Sequence, residues 1–119
     1  MGKLTTHVLD TTRGKPGQGI HVTLYRIENE QRTRLRQMIT NDDGRCDEPL
    51  SSGDELKTGV YELLFAVGPY FNALEEQPVK DDIRFLDDVV IRFGVPDADQ
   101  HYHVPLLITP FSYSTYRGS

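Results

Sequence analysis

The chain has 119 residues, 37% of them hydrophobic and 26% charged, with a formal net charge of −5. That length predicts one domain, residues 1–119, able to bury roughly two-thirds of its unfolded surface. The acidic balance argues against a nucleic-acid or anionic-membrane partner, and no run approaches the ~20 apolar residues of a membrane span.

Residues 4–10, LTTHVLD, alternate and are rich in β-branched types. They predict a strand with Thr5, His7 and Leu9 on one face and Leu4, Thr6 and Val8 on the other. TTRGKPGQG (11–19) is a loop by composition. Residues 20–28 carry the cleanest period-2 pattern, with Ile20, Val22 and Leu24 sharing a face. A polar turn at Asn29-Glu30-Gln31 leads to a half-exposed strand over 33–40. Asn41-Asp42-Asp43-Gly44 is a turn, because glycine accepts positive φ without steric cost. Residues 46–58 read as a loop with a short strand.

GVYELLFAV (59–67) is apolar on both faces apart from Glu62, which predicts a buried strand at the centre of the core. Gly68-Pro69 breaks it, and Tyr70 to Gln77 is the one helix candidate, about two turns long and dependent on packing. Lys80-Asp81-Asp82 reads as a solvated turn. Residues 84–95 alternate through Val89, Ile91, Phe93 and Val95. Two short strands joined by a Thr109-Pro110 turn close the pattern. About eight short strands and one short helix, with frequent turns, are the pattern of an all-β sandwich.

The single cysteine, Cys46, rules out an internal disulfide and suits a reducing compartment. The first residues lack the apolar run of a secretory signal, so the expected location is the cytoplasm. The pair His101-x-His103 has no third ligand close in sequence, so no metal site is expected. A phosphate loop, a nucleophile elbow and a DNA-binding module are all missing.

Three residues could carry chemistry. His7 lies inside the first strand, where a lone histidine is more often structural. His103 alternates with Pro105 and Leu107 on one face of the penultimate strand. Pro105 cannot donate to a ladder, which leaves that strand a free side or an irregularity. Arg45 follows the Asp-Gly turn, where a solvated arginine is the bland alternative. In the last segment Ser112, Ser114 and Tyr116 share one face, and Arg117 and Ser119 the other. Tyr113 is expected to face the core with Tyr102, Val104 and Leu106. Two imidazoles and a guanidinium suit hydrolysis by activated water. A neutral imidazole takes a proton near pH 7, and a guanidinium stabilises an oxyanion. Spacing alone does not bring the three together.

The segment His7-Val8-Leu9-Asp10, with Gly14-x-Pro16-Gly17 after it, resembles the opening of the transthyretin superfamily. Tyr102-His103-Val104-Pro105 through Thr109-Pro110-Phe111-Ser112-Tyr113-Ser114-Thr115 resembles its close, and Gly59 to Asn72 its buried strand and short helix. The superfamily holds a thyroid-hormone carrier and a hydrolase of 5-hydroxyisourate. Tyr116-Arg117-Gly118-Ser119 resembles the hydrolase and is missing from the carrier. The carrier also has lysine, glutamate and threonine at the positions of His7, Arg45 and His103.

The resemblance implies a transthyretin-like sandwich of two four-stranded antiparallel sheets with one short helix. It also implies a homotetramer, a dimer of dimers, with active sites in a channel at the dimer–dimer interface. The implied reaction is hydrolysis of a ring amide of 5-hydroxyisourate to 2-oxo-4-hydroxy-4-carboxy-5-ureidoimidazoline, a step of urate breakdown, with no metal or organic cofactor. Implied catalytic residues are His7, Arg45 and His103. One histidine acts with the other to activate water, and Arg45 holds the carbonyl. For substrate binding, Ser114 and Ser119 offer hydrogen bonds, Tyr116 closes the pocket floor and Arg117 contacts substrate or anchors the tail. A carrier and an immunoglobulin-like interaction domain are the alternatives. A channel made polar and basic by His7, Arg45 and His103 suits the carrier poorly.

Overall fold

A computed structural model of the protein describes residues 1–74 and 83–119. Nine strands, one 3-10 turn and one helix follow in order among these residues. Strands β1 (Lys3–Asp10), β2 (Lys15–Pro16), β5 (Ser51–Ser52), β8 (Tyr102–Ile108) and β9 (Tyr113–Ser114) form one sheet, in the order β2-β1-β8-β9 with β5 also on β1. Strands β3 (His21–Glu28), β4 (Gln31–Ile39), β6 (Gly59–Ala66) and β7 (Asp88–Val95) form the other, in the order β4-β3-β6-β7. The expected pair of sheets is therefore present, one of four strands and one of five, and in the larger sheet β2, β5 and β9 are only two residues long.

One pairing departs from the antiparallel expectation. β1 and β8 run parallel, in the register Thr5↔His103 and His7↔Pro105. Side-chain alternation has the same period in either direction, so the pattern carries no strand polarity. Parallel neighbours need a long crossover, and here the whole second sheet lies between them in the chain.

The alternations define the core. Leu4 and Val8 of β1, Val22 and Leu24 of β3, Tyr61, Leu63 and Phe65 of β6, and Leu106 and Ile108 of β8 are all buried between the sheets. β6 sits between β3 and β7, the central place its apolar sequence predicts. β4 is an edge strand, and its Leu35 and Ile39 are exposed. The β3–β4 hairpin closes through two residues, because Glu28 pairs with Gln31. Asn29 and Glu30 both have positive φ, as a two-residue turn matched to strand twist requires.

The helix α1 (Val67–Leu74) starts three residues before the expected position. Gly68-Pro69 does not break the chain, because a proline in the first helical turn gives up an N–H that has no intrahelical partner. The carbonyl of Asp87 accepts from the N–H groups of Val67 and Gly68, at 3.1 and 3.0 Å. The same bonds explain why β7 begins at Asp88 and not at residue 84: the backbone there caps the helix. The expected helix end at 75–77 and the turn at 80–82 lie outside the described residues.

Asp10 ends β1 with its carboxylate fully buried. It accepts from the backbone N–H groups of Thr12 and Arg13 and from the Tyr70 hydroxyl at 2.8 Å. Burial and then the Asp10 carboxylate push the Tyr70 phenol up to about 12. This knot ties α1 to the end of the strand that carries His7.

Candidate active site

The outer face of the β1–β8 pair follows from strand alternation. Leu4, Thr6, Val8 and Asp10 point inward and are buried, so Thr5, His7 and Leu9 point outward and are half-buried. On β8 the inward set is Tyr102, Val104, Leu106 and Ile108, which leaves His103, Pro105 and Leu107 outward. The parallel register then sets His103 beside Thr5 and His7 beside Pro105.

Arg45 reaches this face through the 41–45 turn. His7 and Arg45 form an isolated antiparallel bridge, and the Val8 N–H donates to the Gly44 carbonyl at 2.8 Å. Gly44 has φ +77°, and a Cβ on it would lie 2.3 Å from the Val8 carbonyl oxygen. Only glycine allows that approach. The turn is braced by Asn41, whose side-chain oxygen accepts from the N–H groups of Asp43 and Arg45.

Asp43 serves both neighbours. Its carboxylate holds the Arg45 Nε at 2.9 Å, and its backbone carbonyl lies 2.8 Å from His7 Nε2. A carbonyl only accepts, so His7 Nε2 carries a proton and Nδ1 is the nitrogen left over. His103 differs. Its Nδ1 is 2.9 Å from the Thr5 hydroxyl. Burial, then the charge of Arg45, then His7 hold its proton affinity below the usual imidazole value. Desolvation and a nearby cation both disfavour the imidazolium, so the ring stays neutral at neutral pH. A cavity of about 180 Å³ opens beside Arg45, lined in part by Lys3, Thr5, Cys46 and Glu48. Burial raises the Cys46 thiol, and Asp47 raises it further, which leaves it a poor nucleophile.

The structure brings His7, Arg45 and His103 to one face, with Thr5 and Asp43 in contact with the histidines. The tail divides differently from the expected pattern. Ser114 pairs with Leu107 and shares the outer face, but Leu107 is four residues from His103, roughly 13 Å along a strand. Ser112 is folded into the turn, within 2.9 Å of the Thr109 hydroxyl. β9 ends at Ser114, so alternation carries no information beyond it. Tyr116 and Arg117 accordingly lie elsewhere. They line a separate cavity of about 240 Å³ with Ile91, Phe93, Tyr102 and Val104, at the open edge between the sheets. Arg117 stacks over the Tyr102 ring at 4.7 Å and donates to the Gln100 side chain at 2.8 Å. It anchors the tail, and its contacts with Gln100, the His101 carbonyl and the Tyr102 ring do not include His7 or His103. Tyr113 is 45% exposed and not in the core.

The tail still returns to the site. Gly118 bridges to His103 through a pair of backbone bonds of 2.7 and 3.2 Å, and Ser119, exposed, follows it. Asp43 and Gly118 carry no sequence pattern that marks them as site contacts. Thr5 alone gave a signal, as the residue two before His7 on the same face. Among the described residues no group of three or more His, Cys, Asp or Glu side chains is placed to hold a metal ion.

A model of the HIUase/Transthyretin family matches residues 4–118. The 5-hydroxyisourate hydrolase of Pseudomonas aeruginosa is 54% identical over 119 residues, 100% of this chain and 93% of that protein. The solved Klebsiella pneumoniae 5-hydroxyisourate hydrolase superposes with a TM-score of 0.78 at 34% identity, over 100% of this chain and 94% of that one. (S)-allantoin synthase superposes with a TM-score of 0.89 at 43% identity over 99% of this chain, which spans 44% of that protein's length. The sandwich, the paired end motifs and a match over nearly the whole chain lead to one statement: the chain belongs to the HIUase/Transthyretin family.

Proposed function

We propose that the protein hydrolyses 5-hydroxyisourate, as one domain spanning residues 1–119, with His103 as general base. The observation that carries the reading is the asymmetry of the two imidazoles. His103 has a lowered proton affinity and no protein partner on Nε2 among the described residues. His7 has its Nε2–H committed to the Asp43 carbonyl. A base must be neutral at working pH and have a nitrogen free of protein partners; the lowered proton affinity of His103 and its unpartnered Nε2 among the described residues support that role.

In the reaction, His103 Nε2 takes a proton from water, and the resulting hydroxide adds to the ring amide carbonyl. The oxygen becomes an oxyanion beside the Arg45 guanidinium, whose charge stabilises it. The carbon–nitrogen bond then breaks, and the leaving nitrogen takes a proton from the imidazolium just formed. His7 orients the substrate from the opposite side with Nδ1, and its bond to Asp43 fixes the ring. Ser114 and Ser119 bind substrate from the outer edges of the face, and Tyr116 and Arg117 support the tail that brings Ser119 there. The substrate is an activated amide, and this chemistry needs no cofactor.

The same face is open to solvent on one side in a single chain. A homotetramer, a dimer of dimers with this face turned to the dimer–dimer interface, would close it into a water-poor channel. The name borne by the Pseudomonas relative supports the substrate, and the single-cysteine composition supports a cytoplasmic setting. Ultraviolet absorbance of freshly generated 5-hydroxyisourate tests the activity. Added protein accelerates its decay; an unchanged decay rate overturns the hydrolase reading. Light scattering coupled to gel filtration tests the tetramer, and a monomer with full activity would remove the shared channel.

A further inference from the structure

The His103 ring is gripped from two edges. On one, Nδ1 meets the Thr5 hydroxyl at 2.9 Å. On the other, Gly118 lies so close that a Cβ added to it would sit 3.1 Å from His103 Cβ and 3.2 Å from Cδ2. Both neighbours are fixed by backbone pairing. Thr5 is the ladder partner of His103 in the parallel β1–β8 pair, and Gly118 exchanges two backbone bonds with it. Nδ1 and Cδ2 are the two ring atoms bonded to Cγ. With both covered, the remaining edge, Cε1–Nε2, is the one directed away from the sheet.

A neutral imidazole carries one proton, and the bond made by one nitrogen decides the state of the other. A threonine hydroxyl can accept or donate. If it accepts from Nδ1–H, Nε2 is a bare lone pair. If it donates, Nε2 is protonated and cannot take a proton from water.

We propose that Thr5 is a positioning residue for His103, its hydroxyl accepting from Nδ1–H so that the ring is held in the tautomer with Nε2 unprotonated and turned to the cleft. The inference rests on the reading of His103 as general base, and it adds what prepares the base. It also gives the first strand a second role: β1 supplies His7 directly and controls His103 through Thr5.

Nitrogen-15 NMR of the imidazoles in the ligand-free protein tests this without reference to turnover, with His103→Asn identifying the signals. The wild type shows His103 with Nδ1 protonated and Nε2 bare. Thr5→Ser keeps a hydroxyl and keeps that signature and the turnover. Thr5→Val keeps the shape and loses the acceptor, so the signal moves toward the Nε2–H form and kcat falls about tenfold to a hundredfold, with KM little changed. A wild-type His103 already protonated on Nε2 overturns the proposal. So does a Thr5→Val protein with an unchanged tautomer, or a Thr5→Ser protein as impaired as Thr5→Val. Should Thr5→Val fail to fold, the wild-type spectrum and Thr5→Ser still decide. If the wild type fails to hydrolyse 5-hydroxyisourate, the activity reading falls while the spectrum still reports on Thr5.

Discussion

The two sheets treat charge on their outer faces in opposite ways. On the β4-β3-β6-β7 sheet, Glu62 lies at the centre with Arg92 at 2.7 Å and Arg32 at 3.7 Å. Arg32 also stacks over the Tyr25 ring at 4.1 Å. The charges there answer one another. On the β1–β8 face, His7, His103 and Arg45 are all cationic or potentially so, and the Asp43 carboxylate holds Arg45. Burial, and then the charges of Arg45 and His7 set beside it, lower the proton affinity of His103. The first face is arranged for stability. The second holds an imidazole of lowered proton affinity beside an exposed guanidinium, an arrangement that favours a ligand over the empty protein.

Mutation can break this contrast at several points. The largest expected effect is His103→Asn, which removes the proposed base and lowers turnover by about a hundredfold to ten-thousandfold, with the far-ultraviolet circular dichroism unchanged. Arg45→Gln follows. Loss of the guanidinium lowers kcat by about a hundredfold to a thousandfold, measured on protein of unchanged melting temperature, since the Arg45 side chain is half exposed. On the other sheet, Glu62→Gln leaves two arginines without their carboxylate. It lowers unfolding free energy by about 1 kcal/mol in a urea titration and leaves turnover as it was. If Glu62→Gln cut activity as Arg45→Gln does, the two faces would not be separable.

The pH dependence sharpens the same comparison. Because the proposed base His103 acts only when neutral and its proton affinity is lowered, the acid limb of kcat/KM is expected below the ordinary imidazole value of about 6.5. Arg45→Gln removes one of the causes, so the His103 titration followed by NMR moves up. The sign for stability is the same. The unfolded chain binds the His103 proton more readily than the folded one, so this group's contribution is complete above about pH 6.5. It is lost as pH falls through the lowered folded value. An acid limb above pH 7 would place the base elsewhere.

Much of this was legible in the sequence where a regular ladder held. The faces of β1, β3 and β8 follow from their alternation because each strand buries one side against the other sheet. Alternation puts His7 and His103 each on the outer side of its own strand, and the pairing of β1 with β8 sets those sides together. The tail was not legible past Ser114, because the ladder stops there and alternation stops with it. Tyr116 and Arg117 turn to the Tyr102 side, drawn by stacking and apolar contact. The start of α1 was misplaced because a Gly-Pro pair reads equally as a break or as a first helical turn, and the deciding partner, Asp87, is distant in sequence. Asp43 carries no pattern of its own, and Thr5 only its place on the same face two residues before His7. Their part in the site comes from a carbonyl and a ladder position, which no residue type announces.

The parallel contact between β1 and β8 also sets an order of events during synthesis. Thr5 and His103 are 98 positions apart, so β1 emerges from the ribosome long before its neighbour exists. At about 5–20 residues per second that wait is about 5–20 s. The β3–β4 and β6–β7 neighbours are close in sequence and can pair at once, while one flank of β1 stays open. The imidazole pair thus comes together late, with only β9 and the tail still to follow. Unfinished chains expose a β-rich edge that invites chaperones or aggregation, and none of them can turn over substrate.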